Sequence, residues 1–210
     1  MSPTSKVAPP ADPGIFHITH IDNLAGILGE ARVWCDAERI RRGLATTNVG
    51  LKHIKNRRLT RPVTTNAGGM LGDYVPFNFC YRSVMLYAIC RGHADYAGGQ
   101  ESIIHLVSRV STATSLGRAW AFTDRHAELA HALHFDDLQH LGEVPWSVMN
   151  LDYWSEHREE RQAEFLVHQY FPWTAVHGVV VRTAAMEATV MHVLESQGHR
   201  PAVAIRPDWY

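Results

Sequence analysis

Apolar residues in this chain come in short bursts, IFHIT at 15–19, YVPFNF at 74–79, IIHLV at 103–107, EFLVH at 164–168, VHGVVV at 176–181 and AVAI at 202–205. Runs of this length, rich in Val, Ile, Phe and Tyr, suit strands and are too short for a helix that must bury one stripe over several turns. Residues 120–122 read as a further short strand. Helical spacing is rarer. Ile21, Leu24, Ala25 and Leu28 fall at i, i+3, i+4 and i+7, with Asp22 or Thr19 available as cap. Residues 84–90, 124–135 (begun by Thr123 or Asp124) and 184–197 read as the other helices. Strands outnumbering helices without a regular βαβ alternation indicate an α+β fold. Pro76 cannot donate to a ladder, so its strand is expected at an edge or bulged.

Between these elements, residues 31–72 are rich in Arg, Asn, Gly and Thr and read as a long loop with helical pieces near 36–42 and 51–56, and 145–160 is polar and aromatic. Residues 1–14 carry four prolines among small polar residues and read as a flexible lead-in to one domain over 15–210. Charge excludes a global pull toward nucleic acid or membrane, because 20 basic residues face 21 acidic ones. An anion site must therefore be local. Cys35, Cys80 and Cys90 form no CxxC pair, which gives neither a disulfide framework nor a metal site and fits a reducing cytoplasm with the thiols as buried apolar groups. No stretch approaches the roughly 18 apolar residues of a membrane span, and the first residues lack an apolar signal core.

The sequence holds no GxGxxG after a strand, no GxxxxGK[ST], no HExxH and no GxSxG, so the parts needed for several common chemistries are missing. Three clusters remain: FHITH at 16–20, HIKNRRLTR at 53–61 and ERQAEF at 160–165. On the first strand, alternation places His17 and Thr19 on one face, where they suit a ribose or an amide; an exposed strand face or a core histidine fits the pattern as well. Lys55, Arg57, Arg58 and Arg61 suit a pyrophosphate, and equally a solvated basic loop. Glu164 opens an apolar strand beside Arg161, as a catalytic carboxylate or as half of an ion pair. Tyr81, Arg82, Ser83 and Met85 after a strand, and FTDRH at 122–126 opening a helix, suit phosphates but are also explained by capping and salt bridges.

Taken in order, FHITH, IKNRRLTRPV, GDYVPFNF followed by YRSVMLYAI, FTDRH and RQAEFLVH resemble the DarT family of DNA ADP-ribosyltransferase toxins over about 15–181. The resemblance implies the ADP-ribosyltransferase fold, a split, mixed β-sheet whose cleft holds NAD, with Glu164 as the catalytic carboxylate stabilising charge on the anomeric carbon. It implies His17 on the adenosine-side ribose, with Thr19 beside it, and Arg58 toward the NAD phosphates and the acceptor base, with Arg57 as the alternative. The implied acceptor is a thymine ring nitrogen in single-stranded DNA, activated by Glu164 and Arg58. Tyr81, Arg82, Met85, His126 and Arg161 are the implied DNA contacts, by cations on phosphates and platforms under bases. The loops 31–72 and 145–160 are expected over NAD and the acceptor. The implied setting is a toxin in the cytoplasm with an antitoxin that removes the mark, no metal and no membrane. Two other readings stay open: the same fold acting on RNA, an RNA 2′-phosphate or protein, and a DNA-binding module without chemistry. A groove beside Glu164 lined by Arg82, His126 and Arg161 would favour DNA over the other acceptors.

Overall fold

The computed structural model describes residues 7–65 and 67–210. Along the chain run β1 (Gly14–His20), α1 (Asp22–Gly29), β2 (Arg32–Trp34), α2 (Asp36–Arg41), α3 (Lys52–Arg58), β3 (Tyr74–Asn78), α4 (Val84–Arg91), β4 (Ile103–Arg109), α5 (Val110–Thr114), β5 (Trp120–His126), β6 (His134–Phe135), α6 (Trp146–Met149), β7 (Ala163–His168), β8 (Tyr170–Pro172), β9 (Gly178–Val181), α7 (Ala184–Leu194) and β10 (Ala202–Ile205). The main sheet has the order β10-β9-β4-β1-β3-β7-β5-β6, and β2 pairs with β8 apart from it. Among the described residues β9 and β10 are the one parallel pair of the main sheet, which makes it mixed as expected.

The sheet splits in its middle. β1 pairs with β4 over seven residues, from Gly14↔Arg109 to His20↔Ile103, but meets β3 only at Phe16↔Asn78. Beyond that contact the strands part and a cleft opens. This explains Pro76, which lies in an interior strand, neither at an edge nor in a bulge. Its carbonyl oxygen is 2.8 Å from His17 Nδ1 across the split. In an antiparallel strand the N and C=O of one residue point the same way, so the missing N–H faces the gap and costs no bond to β7.

Both faces of β7 are covered, hence its continuous apolar run. Phe165 and Val167 join the main core with Val75, Phe77 and Phe122, while Leu166 packs with Val63, Leu71, Tyr74, Ala121 and Ala127.

Four further expectations are corrected. The helix at 124–135 does not form: β5 continues to His126, turns follow, and β6 returns along it. Asp124 Oδ1 accepts from Leu133 N–H, and Leu133, which the periodicity would bury, is exposed. Pairing with β7 and β6 outweighs weak helical propensity. Neither Asp22 nor Thr19 caps α1, since Thr19 accepts from Asn23 instead. Of the lead-in, residues 1–6 lie outside the described residues, whereas Asp12 and Pro13 are fixed: Val110 N–H donates to Pro13 O at 3.0 Å and Ser111 to both Asp12 oxygens. Cys35 and Cys80 are buried, but Cys90 is exposed at the end of α4.

The last residues close over β4. His105 is fully buried, with Nε2 3.0 Å from Tyr81 O and Nδ1 3.2 Å from the Tyr210 hydroxyl. Burial pushes its pKa down to about 4. The folded protein therefore binds this proton less readily than the unfolded chain, so its contribution is complete above about pH 6.5 and fades as pH falls toward 4, by up to roughly 3 kcal/mol. His105→Gln should flatten the stability profile across that window in urea titrations. An unchanged acid limb in the variant would show that another group sets it.

Candidate active site

A cleft of about 670 Å³ follows the split, lined by β1, the 32–58 region, β3, α4 and the start of β7. At its centre Arg58 meets Glu164. They are 106 positions apart in sequence, and Arg58 Nη1 lies 3.0 Å from both carboxylate oxygens, donating a hydrogen bond to Oε1. Both side chains are buried, at 8% and 5% exposure, yet both line the cleft. Glu164 Oε2 and Arg58 Nη2 are buried with no hydrogen-bond partner among the described residues. An unmet buried polar atom costs on the order of 1–3 kcal/mol. That cost marks a surface shaped for a polar ligand.

Glu164 is held in place by an irregularity in β5. The β5–β7 register shifts between Phe122↔Phe165 and His126↔Ala163, which bends the strand end inward. Ala127 N–H consequently donates to Glu164 Oε1 at 3.4 Å, and His126 Nε2 stands 4.0 Å from the same oxygen. Within the bulge, the fully buried Thr123 Oγ1 accepts from Glu164 N–H at 3.0 Å and donates to Arg125 O. Burial lowers the pKa of His126 although the Glu164 charge opposes it.

His17 and Thr19 both line the cleft, and so does Ile18 between them. The Pro76 carbonyl can only accept, so His17 carries its proton on Nδ1 and presents Nε2 as an acceptor. Burial holds its pKa down, and the bond to Pro76 only partly offsets this. The helix α3 separates the two arginines that the sequence left open. Adjacent helical residues point about 100° apart, so Arg58 turns inward while Arg57 turns out to a two-pronged pair with Glu128. Arg57 is absent from the cleft lining.

Of the five expected DNA contacts, Met85 and His126 line the cleft; Tyr81, Arg82 and Arg161 do not. Tyr81 is stacked on Trp209 with centroids 4.7 Å apart, and Arg82 pairs with Asp152 at 2.7 Å. Arg161 is an interior residue at 1% exposure. Its Nη1 donates to Val148 O and Leu151 O at 2.8 Å and its Nε to Arg82 O at 3.3 Å, and burial lowers its pKa. It holds backbone in place instead of facing a phosphate. The groove beside Glu164 thus has one of the three side chains expected to favour DNA.

Several lining residues escaped the sequence reading. Asn23 donates to Thr19 Oγ1 and Thr47 O and accepts from Thr47 N–H and Thr46, fastening the 44–51 segment to the cleft. Asp36 gathers Lys55 at 3.1 Å and Arg39 at 3.4 Å. Burial alone would raise its pKa, but Lys55, with help from Arg39 and Arg58, brings it below the usual carboxylate range. An acidic residue in a first helical turn reads as helix-dipole compensation, so nothing in the sequence singled out Asp36. From 145–160 only Arg158 reaches the lining.

A family model described as DarT, ssDNA thymidine ADP-ribosyltransferase, matches residues 16–210. The chain is 41% identical over 201 residues to a DNA ADP-ribosyl transferase of Thermus sp. (strain 2.9), covering 93% of this chain and 95% of that protein. It superposes on Thermus sp. 2.9 DarT in complex with ADP-ribosylated ssDNA with a TM-score of 0.92 and 40% identity, covering 98% and 99% of the two chains. Against the same protein in complex with NAD+ the TM-score is 0.87 at 38% identity, covering 97% and 100%.

Proposed function

Because this chain belongs to the DarT family, we propose that it transfers ADP-ribose to thymidine bases in single-stranded DNA within a short sequence context, as the toxin of a toxin–antitoxin pair. It is a DNA ADP-ribosyltransferase with NAD as co-substrate. The finer reading, including thymidine, the toxin role and an antitoxin that removes the mark, rests on family membership. The same reading takes 15–210 as the transferase unit and the cytoplasm as its site of action; among the described residues no helix is long and apolar enough to cross a membrane.

The observation that carries the chemistry is the buried Arg58–Glu164 pair in the cleft, whose Oε2 and Nη2 make no hydrogen bond among the described residues. NAD supplies an anomeric carbon whose bond to nicotinamide breaks, with the electron pair leaving on nicotinamide. Glu164 Oε2 is assigned to the ribose hydroxyls, with its negative charge beside the positive charge growing on that carbon. His17 Nε2, an acceptor, is assigned to a hydroxyl of the second ribose. Lys55 and Arg39 face the cleft as cations for the pyrophosphate. The thymine ring nitrogen forms the new bond and loses its proton. Arg58, always charged, favours the deprotonated ring by lying near a carbonyl oxygen, and Glu164 or water takes the proton. Met85 and His126, on the cleft wall, are assigned to the acceptor base, with Tyr81 and Arg82 outside the cleft on the strand that carries it.

Mass spectrometry of a mixed-sequence single-stranded oligonucleotide with NAD and the protein tests this. The expected result is a gain of one ADP-ribose on thymidine alone. Nicotinamide release with the label on RNA or protein would move the acceptor; no nicotinamide release would remove the reading.

A further inference from the structure

A group of aromatic rings next to the cleft takes no part in the chemistry above. Tyr153 is 95% exposed and Tyr87 53%, while Trp154 is half-buried. Tyr87 and Trp154 meet edge to face, with ring centroids 5.3 Å apart. Both come from segments that also line the cleft. On α4, Val84, Met85 and Ala88 face it on either side of Tyr87, and beyond Trp154 the chain returns to it at Arg158 and Gln162. The rings themselves lie outside the cleft lining, on the two segments that contribute to it.

The loop that carries Tyr153 and Trp154 is built to hold them there. It has no regular structure of its own at 150–154, and its backbone is fixed by Arg161, which binds the carbonyls of Val148 and Leu151 and lies 5.4 Å from the Trp154 ring centroid. Arg161 also binds Arg82 O, and Arg82 in turn pairs with Asp152 of the loop. One buried guanidinium thus couples the Tyr81–Arg82 turn to the aromatic loop. This gives Arg161, which cannot reach a phosphate, a role as a positioning residue.

What fits such a surface is decided by its chemistry. Polar Asp152, Ser155 and Glu156 flank Tyr153 and Trp154 in sequence, and Asp152 is exposed and paired with Arg82, so this aromatic surface is bounded by charged and polar groups, unlike the broad apolar patch of a protein interface. The exposed rings of Tyr87 and Tyr153, with Arg82 shortly before α4 and Arg158 shortly after Trp154 in the chain, match a flexible chain of flat rings joined by phosphates. A duplex hides its base faces in the stack, whereas a single strand offers them. We propose that Tyr87, Tyr153 and Trp154 form a stacking platform for the bases flanking the acceptor in a bound single strand. The platform rests on the DNA-acceptor reading and adds to it the residues that grip the neighbouring nucleotides.

The test compares wild type, Tyr153→Ala, Tyr87→Ala, the double variant and Tyr153→Phe in steady-state transfer to a thymidine oligonucleotide, with and without abasic spacers beside the acceptor. Alanine at either position should raise KM for the oligonucleotide by about five- to a hundredfold, the range expected for losing one stacked base, with Tyr153→Phe near wild type. KM for NAD reports on the integrity of the cleft and should stay within twofold. Abasic spacers should weaken the wild type by a similar factor and add little in the double variant. Alanine variants with the wild-type KM, or an undiminished spacer effect in the double variant, would overturn the platform while leaving the transfer reaction standing. No transfer to DNA by the wild type would remove the acceptor reading, and the platform with it.

Discussion

Glu164→Gln is expected to lower ADP-ribose transfer by about 10²–10³-fold or more, because it removes the negative charge proposed to stabilise the reacting carbon while keeping nearly the same shape. The amide oxygen can still accept from Ala127 N–H and Arg58 Nη1, the two bonds that Oε1 makes now. Packing of Phe165 and Val167 on the opposite face of β7 is untouched, so the fold should survive, with a loss of stability toward the lower end of the about 3–5 kcal/mol that an unneutralised buried partner costs. Oligonucleotide mass spectrometry and a thermal melt on the same preparation separate the two effects. A folded variant with transfer within tenfold of wild type would show that another group carries the charge stabilisation.

Arg58→Ala should be harmful in two ways. It strips a buried carboxylate of its counter-charge, and breaking one partner of a buried pair typically costs about 3–5 kcal/mol. The cleft admits some solvent to Glu164, which places the expected loss toward the lower figure. Transfer should fall as well, since the cation assigned to the acceptor base is gone. Arg58→Lys restores charge without the planar fork, so it should recover part of the stability in urea unfolding while transfer stays well below wild type. If Arg58→Ala were as stable as wild type, the ion pair would not be a feature of the folded protein; if Arg58→Lys were fully active, the fork geometry would be irrelevant.

Much of the architecture is legible in the sequence because it depends on neighbours along the chain. The strands at 15–19, 74–79, 103–107, 164–168 and 202–205 appear within a residue or two of their observed bounds, since period-two and all-apolar runs declare themselves locally. The same logic misleads at 124–135, where helix-like spacing yields to pairing with distant β7. It also leaves β2 invisible, because three residues within a polar loop become a strand only by meeting Tyr170–Pro172.

The sequence by itself determined that this would be a mixed α+β protein, that a carboxylate would open a buried strand at Glu164, and that a basic cluster would lie at 53–61. Only the tertiary structure decided which arginine of that cluster faces the carboxylate, that Arg161 is turned inward, and that β1 and β3 part beyond Phe16 and Asn78 to open the cleft. Those outcomes depend on contacts between residues 59 to 106 positions apart. Local spacing fixes which way a side chain leaves its own helix or strand, but it carries no information about what it will meet.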